Sequence, residues 1–287
     1  MTRTNRFTEP IYKFSDYINC NVLIIGIGGG SDIIGAYALG KFLKATNPNT
    51  TINIAVAVTP KSDYDGFDNL QENLYQVNSE KVSDISKLHH TLQIVKEIYN
   101  FDQLFSPYVL VRPKYRQDTN ILRHQKDVAE VLSKSLTFLN PDFIIATDNG
   151  GDSLTGGVSD NVEKEFDRTG LRALQKFGKP FEYIVLGPGC DGESTKEMIL
   201  NSIEQEKHSF KGAFSIIELA KLWSSISEEF LPKDRTPNII LSAINFSHQE
   251  IEIPRHRKPL IPVEWLKVGI VFNGLLFKGD NQQIFHK

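Results

Sequence analysis

Cysteine is nearly absent from this sequence: Cys20 and Cys190 are the only two in 287 residues. Two thiols so far apart form neither a disulfide framework nor a cysteine-rich zinc site, and a reducing compartment is the default. Long apolar runs are also missing. The longest near the C-terminal end, residues 268–277, is ten residues and is interrupted by Asn273 and Gly274, too short to span a bilayer. No apolar segment follows within residues 1–14, so no Sec-type signal is read. The expected location is the cytoplasm, or a host cell reached through a secretion system that uses no signal peptide. Neither sign of charge dominates: 32 basic against 35 acidic residues give a net −3. No global field then draws the chain to nucleic acid or anionic lipid, so no nucleic-acid partner and no membrane insertion are expected. Internal repeats, low-complexity tracts and linkers are absent too. What is present is 40% hydrophobic and 23% charged residues, an ordinary globule with enough apolar surface for a sizeable core.

Short apolar runs alternate with helical periodicities. Strands are predicted at residues 21–26, 52–58, 108–111, 142–147, 182–187 and 238–244. Helices are predicted from residue 33 to 42 and over 85–98, 118–140, 194–207 and 214–230, and the polar stretch 62–78 reads as loop. Repeated βα alternation predicts an α/β fold: a mostly parallel central sheet with helices on both faces, a Rossmann-like or macrodomain-like three-layer sandwich. One domain over 1–287 is expected. Residues 1–19 and 254–287 are read as peripheral, because the pattern breaks at Pro254 into a basic Pro-Arg-His-Arg-Lys-Pro segment and a mixed aromatic tail.

Three of the predicted strands end in a glycine-rich turn that carries acids: Gly26-Ile-Gly-Gly-Gly-Ser-Asp32, Asp148-Asn-Gly-Gly-Asp-Ser153 and Gly187-Pro-Gly-Cys-Asp-Gly-Glu193. Parallel strands point their carboxyl ends to one edge, where open α/β sheets bind ligands, so the three turns are predicted to meet at one site. Gly28, Gly29 and Gly30 permit close backbone approach and positive φ. With Ser31 and Asp32 at a helix start, they read as a cradle for a phosphate or pyrophosphate. In the second turn, Asp148, Asn149 and Asp152 flank Gly150 and Gly151, a set that orients a ribose, acts as general base or holds a hydrated divalent cation. In the third, Asp191 and Glu193 lie two apart, and a first-turn dipole partner is an equal reading of Glu193.

Nearby motifs fail on single positions. Gly26-x-Gly28-x-x-Ser31 lacks the third glycine of the dinucleotide fingerprint, and no acid ends the second strand at Thr59-Pro60. Gly35-x-x-x-x-Gly40-Lys41 has Phe42 where a phosphate loop needs Ser or Thr. His89 and His90 read as solvated. Ser153 and Ser194 lack triad partners, and Cys190 reads as a structural thiol. Arg168 and Arg172 fit a surface helix as well as a phosphate contact, and residues 255–258 fit a solvated loop.

The three turns, in this order, resemble those of a family of unassigned function that carries Gly-Gly-Gly-x-Asp, Asp-x-Gly-Gly-Asp-Ser and Gly-x-Gly-Cys-Asp-Gly-Glu loops; here these are residues 28–32, 148–153 and 187–193. The chain is also similar to atypical macrodomain-like bacterial effectors that remove ADP-ribose from arginine. The resemblance implies a hydrolase acting on an ADP-ribosylated protein or ADP-ribose. Gly28, Gly29, Gly30 and Ser31 would then hold the pyrophosphate, with Asp32 on a ribose hydroxyl or guanidinium. Asn149, Gly150, Gly151, Ser153 and Gly189 would shape the ligand site. Asp148 and Asp152 would orient the distal ribose and water, and Asp191 or Glu193 would be the second acid. The other readings are a magnesium-dependent enzyme on a nucleotide or sugar phosphate, and a non-catalytic binder of ADP-ribose or nucleotide. No cofactor is required and no metal ligand is assigned; magnesium stays open.

Overall fold

The structure is a computed structural model that describes residues 10–14, 17, 19–28, 30–61, 63–78, 88–114, 120–156, 166–247 and 249–279. Its centre is one nine-stranded sheet. The five parallel strands are β1 (Asn21–Gly26), β2 (Thr51–Val58), β5 (Tyr108–Val111), β6 (Phe143–Asn149) and β7 (Phe181–Leu186), paired in the spatial order β5-β2-β1-β6-β7. Numbered among themselves they run 3-2-1-4-5, the doubly wound order whose direction reverses between β1 and β6. β1 and β7 are almost wholly buried, as expected where helices cover both faces of a parallel sheet.

One helical layer joins α1 (Asp32–Thr46), α2 (His90–Phe101), α7 (Ile217–Phe230) and α8 (Thr236–Ile244). The other joins α3 (Ile121–Leu139), α4 (Asp152–Thr155), α5 (Phe166–Phe177) and α6 (Lys196–Gln205). α1 lies against the strands at the reversal and is buried nearly all round, from Asp32 to Gly40 and again at Leu43. Gly35 is what lets it approach: a Cβ there would stand 2.7 Å from Leu186 Cδ1. Each fully buried Ile or Leu of this interface contributes about 1.5–3 kcal/mol.

Four sequence expectations are corrected. Residues 238–244 belong to helix α8, not a strand. Asn-Ile-Ile-Leu is too short an apolar run to separate the two by composition, but Pro237 presets the first turn, and Thr236, Ile239, Ile240 and Ala243 fall on one helical face. Within 62–78, β3 (Phe67–Gln71) and β4 (Leu74–Val77) form an antiparallel hairpin turned at Asn73, whose φ is +65°. The hairpin forms the sheet's half-exposed edge, where polar side chains are tolerated and the alternation is faint. The helix expected from residue 214 starts at Ile217, because 210–215 form strand β8 (Phe210–Ser215). Residues 254–287 are not peripheral: after the two-stranded ladder of β9 (Glu250–Glu252) and β10 (Leu260–Pro262), β11 (Val268–Asn273) inserts antiparallel between β7 and β8. The first segment is held in as well. Ile11 bridges Ala213, and the hydroxyls of Tyr12 and Tyr17 donate to Glu182 of β7. The first three residues of the helix predicted over 85–98 lie outside the described residues. No described helix is long and apolar enough to cross a membrane.

Candidate functional site

The three glycine turns follow β1, β6 and β7, adjacent strands with parallel carboxyl ends, and hydrogen bonds stitch them together. The Asn149 amide donates to Asp32 Oδ1 (3.1 Å), and Asn149 Nδ2 donates to the Ser31 carbonyl (3.0 Å). The Gly189 amide donates to the Gly150 carbonyl at 2.7 Å. Gly150 has a φ of +113°, and a Cβ on it would stand 2.6 Å from Asp191 Cβ and closer still to Asp191 Oδ2. Only glycine meets both conditions. Residues up to 161 positions apart, Gly28 and Gly189, thus share one rim at the strand-order reversal.

Six acids gather there: Asp32 opening α1, Asp148 ending β6, Asp152 opening α4, Asp167 in the first turn of α5, and Asp191 and Glu193 after β7. Asp32, Asp148 and Asp167 are buried, and one carboxylate oxygen from each lies within 4.8 Å of the others. Gly28 sits between two of them, since a Cβ there would stand 2.6 Å from Asp32 Oδ2 and closer to Asp167 Oδ2.

Burial, and after it Asp148 and Asp167, hold the Asp32 carboxyl well above the usual carboxylate range. Burial, then Asp167, Asp148 and Asp191, does the same to Asp152, which donates to Asp167. Asp167 is pushed up to about 7 by burial and by Asp148, against the pull of Arg112. Asp191 is pushed up to about 7, chiefly by burial. Asp148 is raised by burial and partly relieved by hydrogen bonds from Ser153 and Gly151. Like charges held in a low dielectric cannot all ionise together.

The sequence-predicted residues differ in burial and in how far the loops engage their polar atoms. Asp152 and Glu193 are half-buried. Asp191 is 7% exposed; its Oδ1 accepts the Glu193 amide at 2.7 Å, while its buried Oδ2 has no hydrogen-bond partner among the described residues. Asp148, 1% exposed, faces inward and accepts from the amides of Gly151 and Ser153 (both 3.3 Å), from Ser153 Oγ and from Tyr183. A carboxylate so engaged holds the second loop in place. Asn149, Gly151, Ser153 and Gly189, expected to contact ligand, are likewise engaged within the protein. Their amides or side chains are spent on Asp32, Ser31, Asp148 and the Gly150 carbonyl.

The phosphate cradle is also revised. The Gly28 amide donates to Asp32 Oδ2 at 2.8 Å, so the anion at this turn is the protein's own carboxylate. Gly29 lies outside the described residues. Gly30, exposed and with a φ of +54°, and Ser31, whose Oγ pairs with Thr236 Oγ1 at 2.9 Å, remain at the surface of the turn.

Two contributors escaped the sequence reading. Asp167 has no glycine turn around it and reads as an ordinary helix-start acid. Arg112, 1% exposed, directly follows β5 at the same sheet edge; burial lowers its guanidinium to about 9, with Asp167 opposing. Its place just beyond a parallel strand was the available signal. Arg168 is buried and donates from Nε to the Ser153 carbonyl (2.9 Å), holding the second loop. Cys190 is an inert thiol, raised by burial and then by Asp191, with Sγ turned to the Leu186 carbonyl. Ser194 Oγ pairs with Thr155, and His89 Nδ1 caps α2. The basic segment packs on the third loop: His256 Nε2 stands 3.4 Å from Glu193 Oε1, and the Arg257 amide donates to the Gly192 carbonyl at 3.0 Å.

Comparison with known proteins finds no match among curated proteins. Among solved structures, UDP-GlcNAc 2-epimerase from Neisseria meningitidis bound to UDP-GlcNAc aligns with 9% identity and a TM-score of 0.33, covering 78% of this chain and 49% of the epimerase. UDP-glucose 4-epimerase from Thermotoga maritima with UDP-glucose aligns with 14% identity and a TM-score of 0.22, covering 56% of this chain and 53% of that one. Pen from Bacillus thuringiensis gives 10% identity and a TM-score of 0.28 over 93% and 90% of the two chains. This chain thus spans about half the length of the two epimerases. Residues 59–263, most of the chain and two of its three acid-bearing loops, match the family described as protein of unknown function DUF1152, and the chain belongs to that family.

Proposed function

We propose that the chain is a hydrolase that removes ADP-ribose from a modified side chain, with arginine as the linkage residue. The observation that supports it is a segregation of charge: an acid-lined floor at the sheet's reversal meets a basic rim, residues 255–258, through Glu193 and His256. An ADP-ribosylated arginine is segregated in the same way, with a diphosphate at one end and a guanidinium beyond the distal ribose. The phosphates lie along Gly30, Ser31 and the basic rim, and the ribose and guanidinium lie over the acids. Hydrolysis passes through an oxocarbenium-like state, which buried carboxylates stabilise more than they stabilise the neutral sugar. Water attacks the anomeric carbon as the C–N bond breaks. Asp191 takes the water proton on Oδ2, which has no hydrogen-bond partner among the described residues, and Asp152 gives a proton to the departing guanidine nitrogen, so the products are ADP-ribose and arginine. Asp148, Ser153 and Tyr183 fix the loop that carries Asp152.

The test is release of ADP-ribose from an ADP-ribosylarginine peptide, followed chromatographically. Wild-type protein turns it over, and Asp152→Asn and Asp191→Asn each lose about a hundredfold or more, the range for removing an acid–base group. Binding without turnover leaves a reader of ADP-ribose. Loss of both binding and turnover retires the reading.

A further inference from the structure

The sheet's carboxyl edge carries a second polar cluster, apart from the crevice acids. Thr59-Pro60-Lys61 follows the end of β2, and Lys61 reaches His89, the residue that caps α2. We propose that Lys61, His89 and Thr59 form a subsite for a phosphate-class oxyanion, either free phosphate or the monoester end of a nucleotide. Three observations carry it.

First, two donors are turned towards each other. His89 Nδ1 accepts the Thr91 amide at 3.3 Å, so the proton of the neutral ring sits on Nε2. That Nε2 lies 3.3 Å from Lys61 Nζ. An ammonium has three protons and no lone pair, and a protonated Nε2 has no lone pair to offer it. The two cannot bond to each other, whereas one oxyanion accepts from both.

Second, the Lys61 ammonium has no ion pair among the described residues. It donates to Thr59 Oγ1 at 3.1 Å, a neutral partner that keeps its own proton for a ligand. Burial lowers the Lys61 ammonium, and burial, then Lys61 and His90, lowers the His89 imidazole. An anion touching both groups opposes these shifts.

Third, the donors are held in place. The Lys61 amide donates to the Tyr64 hydroxyl at 3.1 Å, and the Tyr64 ring stacks on Tyr75 of β4, with centroids 4.2 Å and planes 6° apart. His89 is fixed by its bond to the first turn of α2, whose twelve residues set the positive end of their dipole there. Donors ordered in advance cost a ligand little entropy.

The donor set defines the class of ligand. An ammonium, an imidazole and a hydroxyl suit a tetrahedral anion with several oxygens, and charge-assisted bonds give it affinity. β2 is the neighbour of β1, so the subsite lies on the same ligand-binding edge as the glycine turns. It does not rest on the glycosidic reading.

The test is calorimetric titration of the full chain with inorganic phosphate and with AMP at a pH of about 7, where a phosphate monoester carries a charge of about −1.5 to −2. Nitrogen-15 resonances of the His89 ring give a second readout. One anion per chain is expected, with the Nε2 signal moving on binding. Binding of both probes identifies free phosphate as a sufficient ligand, and binding of AMP alone identifies the nucleotide monoester. Lys61→Met and His89→Gln each weaken binding about tenfold or more, the loss of one charge-assisted hydrogen bond, while Lys221→Met on exposed α7 leaves it unchanged. Lys61→Met should melt with the ligand-free parent, which separates lost binding from misfolding. Absence of binding by both probes up to about 10 mM, ten times weaker than a millimolar site, overturns the proposal. So does binding that survives both variants, or a Lys61 amine found neutral at that pH, which accepts from Nε2 and needs no anion. Phosphate binding without release of ADP-ribose counts against the hydrolase alone, and release without phosphate binding counts against the subsite alone.

Discussion

Glu182 and the crevice acids are buried carboxylates on the same sheet, solved in opposite ways. Glu182, in the body of β7 and 2% exposed, accepts from the hydroxyls of Tyr12 and Tyr17 and pairs with Lys211. All its partners come from this chain, and their work is to fasten the first described segment and β8 to the strand. At the carboxyl ends of β1, β6 and β7 the acids face one another, and Asp191 Oδ2 faces no donor among the described residues. A carboxylate buried for structure is satisfied from within, whereas a group of them left to repel is stable only with protons or with an external cation.

The largest effect expected from this contrast is opposite in sign at the two places. Glu182→Ala should lose about 3–5 kcal/mol in chemical denaturation, the cost of breaking a buried, hydrogen-bonded pair. Asp167→Asn should gain stability in cation-free buffer; a loss there would mean the crevice acids are as internally satisfied as Glu182. Next in size is Gly150→Ala, which brings a Cβ against Asp191 at a φ of +113° and should cost about 1–3 kcal/mol.

The pH dependence sharpens the same comparison. Asp167 and Asp191 are held at about 7 in the fold against about 3.9 in an unfolded chain. Raised carboxyls bind more protons folded than unfolded. Their contribution to stability is therefore complete below about 4 and disappears as pH rises through about 7. In chelator, the melting temperature should climb on acidification from about 8 towards 5, and the slope should shrink in Asp167→Asn. A flat or falling profile would sink the assignment of strained acids. The smallest effect is at the rim: His256→Gln should shift stability by about 0.5 kcal/mol or less, as for an exposed ion pair, yet weaken ADP-ribose binding measured by calorimetry.

The layered α/β architecture was legible because buried parallel strands such as Val22–Ile25 read as continuous apolar runs. Elements of the sheet's margins were not. β3 and β4 are half-exposed, β11 enters the sheet from a segment with no βα context, and Ile239 and Ile240 suit a helix and a strand equally. At the site, the glycine turns marked Asp32, Asp148, Asp152, Asp191 and Glu193. Asp167 and Arg112 carry no local signature, since their neighbours in sequence are not their neighbours in space.

By itself the sequence determined which strands are central and which turns carry acids, because burial on two faces and positive φ impose local residue choices. Only the tertiary structure decided which of those acids point outward. The strand order places Gly28, Asp148 and Asp191 side by side, and the amides at the sheet's edge then claim Asp32 and Asp148 for the scaffold while leaving an oxygen of Asp191 unclaimed among the described residues. Hydrogen-bond satisfaction is a property of the assembled neighbourhood, and no single stretch of chain encodes it.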